Sequence, residues 1–181
     1  MQFNNIKFCC ADADMSIMMV FPEEEVVEQM LLCAEDFPPD YVNFAHPQDY
    51  HVSSQPIEPE CIFNHRQGTH NRLLWRVSWD IGNRKFMPMT FVLDTGAPKQ
   101  MYLSQTALSK LEELGLLKTD EDTEARWVQL FGRKCGVERT PHGHDPANII
   151  GLRMLMRLGL QLSDSVPFFK FLPTRNCLQS T

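Results

Sequence analysis

The chain has 181 residues, 43% of them hydrophobic, and a formal net charge of −6 at pH 7. This length and apolar content suffice to bury a hydrophobic core, so we expect one globular domain with an extension, or two small domains. The acidic balance and the scattered distribution of lysine and arginine argue against nucleic acid as a partner.

The sequence also indicates the cellular compartment in which the protein is expected. No apolar run approaches the roughly 18 residues needed to span a bilayer, and the N-terminus lacks a basic segment followed by an apolar one. We therefore expect a soluble, cytoplasmic protein with no membrane partner. Without a signal peptide, reduced thiols are favoured over disulfides for the six cysteines, which form no C-x-x-C pair and stand at positions 9, 10, 33, 61, 135 and 177.

Residues 1–71 are predicted to form an N-terminal extension. Pro22 at the first helical position, glutamates at 23–25 and apolar residues at helical spacing indicate an amphipathic helix that continues to about Glu35. The stretch from there to Asn71 contains several prolines and has no periodic pattern. We predict that it is an irregular segment or a linker.

A zinc site is an alternative function for part of this extension. Cys61, His65 and His70 have the spacing C-x3-H-x4-H, which fits no common zinc class and lacks a clear fourth ligand. His142 and His144 lie in a loop flanked by proline and glycine, where solvent-exposed histidines are the more common explanation. We therefore expect neither a bound metal nor a cofactor.

A β-hairpin is predicted directly before Asp94. Apolar and polar residues alternate after Leu73, which is typical of a half-buried strand, and a turn at 81–85 precedes a returning strand from Phe86. Pro88 in this second strand cannot donate to a ladder, so its nitrogen must face an edge or a bulge. The apolar run then carries the carboxylate of Asp94 into a tight Thr-Gly turn.

A short strand at Met101–Leu103 and a helix are predicted next. Ser104 is a suitable N-cap and Gly115 a suitable C-terminal stop for the helix. Its buried stripe is predicted to comprise Ala107, Leu108, Leu111 and Leu114. The acidic run at 118–124 is predicted to be a solvent-exposed loop.

The last part of the chain is predicted to contain a second hairpin, from Trp127 to Thr140, and further short elements. Ile149–Gly151 reads as the end of a buried strand, where the glycine admits a close backbone crossing that a side chain would prevent. A short helix is predicted from Leu152 to Leu158, followed by a terminal strand at 166–171.

Two of these stretches together resemble the retropepsin family, the aspartic proteases of retroviruses and retrotransposons. They are Phe91-Val92-Leu93-Asp94-Thr95-Gly96-Ala97 and Asn148-Ile149-Ile150-Gly151. The resemblance covers Leu73 to Phe171 and implies a retrotransposon or viral origin. It also implies a mainly β fold, a closed barrel-like acid-protease domain with two short helices at residues 72–172. Residues 1–71 would then be the α-containing extension, and residues 173–181 a tail.

The single Asp-Thr-Gly motif determines the expected mechanism. A carboxylate held away from water costs several kcal/mol unless it is paired, and two aspartates related by a two-fold axis resolve this by sharing one proton. We therefore expect a homodimer in which Asp94 and its symmetry mate activate a water molecule to hydrolyse a peptide bond.

The resemblance also assigns roles to the neighbours of Asp94. It implies that Thr95 joins the two loops by hydrogen bonds across the axis, and that Gly96 lets the chain turn close to the substrate backbone. It further implies that apolar side chains flank the cleaved bond of a polypeptide substrate, in subsites lined by Leu93, Ala97, Ile149 and Ile150.

Two departures from the family pattern leave an alternative open. Only one hairpin is predicted between Gly115 and Gly151, where the family has two, one of them a flap over the substrate. Leu152 and Pro98-Lys99 also stand where retroviral members have an arginine and its acidic partner, which brace the dimer. The alternative is an inactive retropepsin-like domain that dimerises or binds peptides without cutting them.

Overall fold

The computed structural model of the chain describes residues 32–64, 71–163 and 169–171. Within these residues the protein is mainly β, as predicted. The strands are β1 (Glu60–Asn64), β2 (Arg72–Gly82), β3 (Lys85–Asp94), β4 (Met101–Leu103), β5 (Lys118–Thr119), β6 (Arg126–Leu130), β7 (Arg133–Arg139), β8 (Ile149–Gly151), β9 (Leu160–Leu162) and β10 (Phe169–Phe171). The helices are α1 (Gln105–Glu113), α2 (Leu152–Leu158) and a 3₁₀ helix at Ala34–Asp36.

Eight of the strands form one sheet in the order β1-β2-β3-β8-β4-β7-β6-β5. Two neighbouring pairs, β3 with β8 and β4 with β7, are parallel, and the other pairs are antiparallel. The closed barrel expected from the sequence does not form, since β1 and β5 lie at opposite edges of the sheet. Strand β5 has two residues, which is too short to continue the hydrogen-bonded ladder to β1.

The hairpin before Asp94 forms as the sequence predicts. Strands β2 and β3 are joined by a turn in which Asn83 and Arg84 both have positive φ. Pro88 faces Ser78 of β2 on one side, and on the other its carbonyl accepts a hydrogen bond from the Tyr50 N–H at 2.9 Å. A loop rather than a strand therefore covers β3 at this point, which explains why a proline is tolerated there.

One face of the sheet packs into the main hydrophobic core. Both α-helices contribute side chains to this core, as do β6 and β7 of the sheet. Neither helix of the described residues combines the length and apolar character needed to cross a bilayer. The largest fully buried side chains in this core are those of Trp79, Phe91, Phe169, Met87, Met89, Met101, Leu103, Leu111, Leu130 and Ile150.

The opposite face of the sheet is covered by residues 32–44. Leu32 and Phe37 pack there on a second apolar cluster that contains Leu74, Val92, Tyr102 and Ile149. The compact unit accordingly begins at Leu31 rather than after residue 71, and β1 lies within the stretch predicted to be irregular. The predicted helix ending near Glu35 lies mostly outside the described residues, and its last part is the 3₁₀ helix.

Two ion pairs connect residues 32–64 to β2, and the first of them is buried on both sides. The Arg76 Nε lies 3.0 Å from Asp49 Oδ1, and the Arg72 Nε lies 3.2 Å from Asp36 Oδ2. Asp49 Oδ2 also accepts a hydrogen bond from the Thr90 N–H at 3.0 Å. Strand alternation suggested that Arg76 faces solvent, but the covering segment buries it, and a buried charge requires such a partner.

The end of the predicted terminal strand pairs within its own chain. Residues Phe169–Phe171 form β10, which runs antiparallel to β9 in a separate two-stranded sheet. Phe169 is buried in the main core, and the Phe171 ring lies 4.3 Å from that of Trp75, measured between centroids. The first part of the predicted strand, residues 166–168, lies outside the described residues.

Candidate active site

The two sequence motifs lie side by side in the folded chain. Strands β3 and β8 are parallel neighbours, with Leu93 opposite Ile150 and Asp94 opposite Gly151. Because parallel strands run in the same direction, β3 and β8 finish at the same end of the sheet, and both motifs lie there. Asp94 is thus at the end of a strand whose preceding residues are almost all buried.

The carboxylate of Asp94 is only partly buried. Its Oδ1 accepts a hydrogen bond from the Gly96 N–H at 2.8 Å, and the Ala97 N–H donates to the Asp94 carbonyl at 3.3 Å to close the turn. Within the described part of the chain, Oδ2 has no hydrogen-bond partner, and Thr95 and Gly96 are exposed. One carboxylate oxygen is therefore held by its own turn, while the other remains accessible to water or to a further group.

Gly151 lies where the loop after Asp94 crosses the end of β8. A Cβ at this position would collide with the carbonyl oxygen of Lys99 and would lie 2.7 Å from that of Ala97. The Gly151 N–H donates to the Gln100 carbonyl at 3.0 Å. The predicted close backbone crossing is therefore present, and it requires glycine.

The same loop is attached to β7 by two polar contacts. The Lys99 Nζ lies 2.7 Å from Glu138 Oε1, and the Gln100 Oε1 accepts a hydrogen bond from the Gly136 N–H at 2.8 Å. The hydrogen bond to Glu138 and the negative charge of this carboxylate raise the pKa of the Lys99 amine. Lys99 is therefore engaged within its own chain.

A buried polar cluster supports β8 from the side. The Asn148 amide donates to the Tyr50 hydroxyl at 2.8 Å and to the Thr90 carbonyl at 3.1 Å, and its oxygen accepts from the Ser104 N–H at 3.0 Å. These bonds join β3, β8 and the start of α1. Burial is the main cause that raises the pKa of the Tyr50 phenol.

The sequence predicted only a packing role for Tyr50 and no hydrogen-bonding role for Asn148. A polar amide directly before a buried apolar strand was the available signal, because a buried amide nearly always has hydrogen-bond partners. Those partners come from residues far apart in the chain, so the sequence did not identify them.

The four residues expected to line subsites are divided between the two faces of the sheet. Leu93 and Ile150 lie in the main core, whereas Ala97 and Ile149 lie in the second cluster under residues 32–44. None of them is more than 9% exposed. Within one chain they are core residues that support the site, and they do not form a shared open pocket.

The β6–β7 hairpin lies beside the site but is attached to the core. Met101, which neighbours Ile150, is also opposite Val137, so the hairpin turn projects from the same end of the sheet as Asp94. The ring of Phe131 in this turn lies 5.6 Å from that of Trp75 between centroids. The acidic run before it is partly strand β5, so two hairpins share β6 where the sequence predicted one.

The zinc alternative gains no support from the described residues. They contain no group of three histidine, cysteine or acidic side chains that could hold a metal ion. Cys61 is an exposed free thiol in β1, while His65 and His70 lie outside the described residues. His142 is exposed, as expected for a loop histidine.

Comparison of the chain with known protein families, with curated proteins and with solved structures gave no match. The function therefore has to be inferred from the residues around Asp94 and Gly151. Their defining feature is an accessible carboxylate beside a backbone crossing.

Proposed function

We propose that this chain is an aspartic endopeptidase of retropepsin-like fold that acts as a homodimer. The observation that carries the proposal is the register of β3 and β8, in which Asp94 lies opposite Gly151. Two motifs that are far apart in sequence meet at one end of these two strands, and the turn at Thr95–Gly96 is exposed there. This arrangement leaves the Asp94 carboxylate accessible while its backbone is fixed on both sides.

The need for two chains follows from the chemistry. Peptide hydrolysis requires a base that activates water and an acid that protonates the carbonyl oxygen, each contributing about 10²- to 10⁴-fold. The chain contains one Asp-Thr-Gly, and two aspartates that share a proton can divide the two roles. The accessible Asp94 Oδ2 and the exposed Thr95 are available to a second copy.

The proposed substrate is a polypeptide bound in extended form. An extended peptide binds through its backbone groups, and the exposed Thr95–Gly96 backbone supports this mode of binding. Apolar side chains on either side of the cleaved bond remain the expectation from the family resemblance.

One observation favours the alternative of an inactive dimerisation or peptide-binding domain. The β6–β7 hairpin, whose turn projects from the same end of the sheet as Asp94, is held against Trp75 by Phe131. A hairpin that must open and close over a substrate would have to break this contact. If it cannot, peptides bind without being cut.

The test is cleavage of a library of apolar peptides at acidic to neutral pH by the wild type and Asp94→Asn. Asp80→Asn is a matched control, because Asp80 is exposed and its Oδ1 accepts a hydrogen bond from the Gly82 N–H at 2.9 Å, as the Oδ1 of Asp94 does from the Gly96 N–H. We expect Asp94→Asn to lower kcat/KM by about 10³-fold or more, and Asp80→Asn to leave it unchanged. A statine-type transition-state mimic should inhibit the wild type.

Cleavage that persists in Asp94→Asn would rule out the assignment. A wild type that binds peptides without cutting them, with the same affinity in Asp94→Asn, would instead support the inactive domain.

A further inference from the structure

Helix α2 has an apolar exposed side as well as a buried one. Met154, Leu155 and Leu158 lie in the main core. On the other side Leu152 is 43% exposed and Met156 is 72% exposed, and a spacing of four residues makes them neighbours on the helix surface.

A third exposed apolar side chain follows α2 in sequence. Leu162 of β9, which follows α2 after Gly159, is 66% exposed. Five large hydrophobic side chains are exposed in the described part of the chain, and three of them are in this short stretch, the others being Val42 and Val52. Single exposed apolar residues are ordinary, but a group of them indicates an interaction site. We call the neighbouring pair Leu152 and Met156 the α2 ridge.

The position of the α2 ridge indicates what covers it. Leu152 directly follows Gly151, and Gly151 is the neighbour of Asp94 in the sheet, where adjacent strands are about 4.8 Å apart. The proposed site is incomplete without a second Asp94. The first turn of α2 therefore lies next to the residue that a second copy has to approach.

We propose that the α2 ridge is the surface on which a second copy of this chain docks. The inference rests on the proposed function and adds the contact that assembles its site. In a two-fold interface the same patch meets itself, and apolar side chains can do so without the repulsion that like charges would suffer. Methionine is suited to such a contact because its flexible side chain adapts to the opposing surface.

The flanking charges fit the edge of such an interface. Arg153 and Arg157 are exposed beside the ridge on the same helix. The Arg157 Nη1 donates to the Lys134 carbonyl at 3.2 Å, which directs it toward its own chain. An apolar centre with a charged rim is the usual composition of a protein interface.

The test is sedimentation velocity of the full chain over a range of micromolar concentrations. We compare the wild type with the double variant Leu152→Glu/Met156→Glu, and with Val42→Glu as a matched control, since Val42 is 64% exposed and lies outside the ridge. We expect a wild-type dimer whose dissociation constant rises at least about 30-fold in the double variant and is unchanged in Val42→Glu. Urea midpoints measured at protein concentrations well below the wild-type dissociation constant should be similar in all three, because all the changed side chains are exposed and no dimer then contributes to stability.

Measuring peptide cleavage on the same samples separates this inference from the proposed function. A dimer that the double variant weakens, but that cuts no peptide, supports the inference and rules out the proposed protease activity. Asp94-dependent cleavage by a strict monomer, or by a dimer that the double variant leaves intact, overturns the inference and keeps the protease. A wild type that neither dimerises nor cuts overturns both.

Discussion

At Gly151 the fold has no room for a side chain. An added Cβ would meet the carbonyl oxygens of Lys99 and Ala97, and backbone atoms cannot move away by changing rotamer. We expect Gly151→Ala to lower the free energy of unfolding by about 2 to 4 kcal/mol, measured by urea denaturation.

Gly136→Ala is the control for this prediction. Gly136 lies in β7, and the nearest atom to an added Cβ would be Gln100 Oε1 at 3.9 Å, an ordinary contact distance. We expect a change within about 0.5 kcal/mol. Equal losses in the two variants would show that the backbone crossing is not the constraint.

Tyr41 should make the fold sensitive to alkaline pH. Burial raises the pKa of the Tyr41 phenol from its ordinary value of 10.0 to about 12. Because the folded state keeps a proton that the unfolded state releases, this contribution to stability is complete below pH 10 and is lost as the pH rises toward 12. Between pH 10 and pH 12 we therefore expect the free energy of unfolding to fall less in Tyr41→Phe than in the wild type.

The measurement is a series of urea titrations from neutral to alkaline pH. At neutral pH Tyr41→Phe should be as stable as the wild type or more so, since the Tyr41 hydroxyl is buried without a hydrogen-bond partner in the described part of the chain. An identical pH dependence in the two proteins would contradict the prediction.

Individual residues were predictable from sequence only where a local signal was present. Gly151 was identified by its motif and by the clash that a side chain would cause at a crossing. Arg76 was expected to face solvent because strand alternation describes two faces but not what covers them. Asp49 covers Arg76 from a segment that carries no periodic pattern, so the pair was missed.

At the scale of elements, Ser104 determines where α1 begins. Its Oγ accepts a hydrogen bond from the Ala107 N–H at 3.1 Å, and Ser104 is fully buried. We expect Ser104→Ala to cost about 1 to 2 kcal/mol, because the helix loses a cap. Urea denaturation measures the loss.

Ser109→Ala on the same helix is the control, because Ser109 is exposed and its Oγ receives only the Gln105 side-chain amide, at 3.2 Å. We expect it to change stability by less than about 0.5 kcal/mol. A loss as large as that of Ser104→Ala would show that general hydroxyl removal, and not capping, is responsible.

Elements with local signals were predicted well. The hairpins β2–β3 and β6–β7, strand β8 and both α-helices all carry turn glycines, caps or clear periodicity. Strands β1, β5 and β9 lack such signals and exist through pairing with another strand. Their hydrogen-bond partners are a property of the folded chain, so periodicity could not predict them.

At the scale of the whole molecule, the sequence predicted the class but not the closure of the sheet. A mainly β chain follows from strand-like patterns, whereas closure depends on how long the edge strands become after folding. The cover over the second face was missed for a related reason. Leu32 and Phe37 read as scattered apolar residues until the sheet supplies the surface on which they pack.

A shared active site makes a prediction about mixed chains. If each site uses Asp94 from two copies, Asp94→Asn mixed in equal amount with wild type should reduce the activity per wild-type chain to about one half after subunit exchange. Peptide cleavage measures this. Mixing with Asp80→Asn should leave the activity per wild-type chain unchanged. The same result with Asp94→Asn would mean that one chain contains a complete site.

The segment at residues 32–64 determines how far this chain can be shortened. A fragment starting at residue 72 would match the region of family resemblance, yet it would lose both Asp49, the partner of Arg76, and the cover that buries this pair. Such a fragment would also lack Leu32 and Phe37, so Leu74, Val92 and Ile149 would be exposed to solvent. We therefore expect the minimal folding unit to be longer than the region of family resemblance, and a chain trimmed to that region to aggregate.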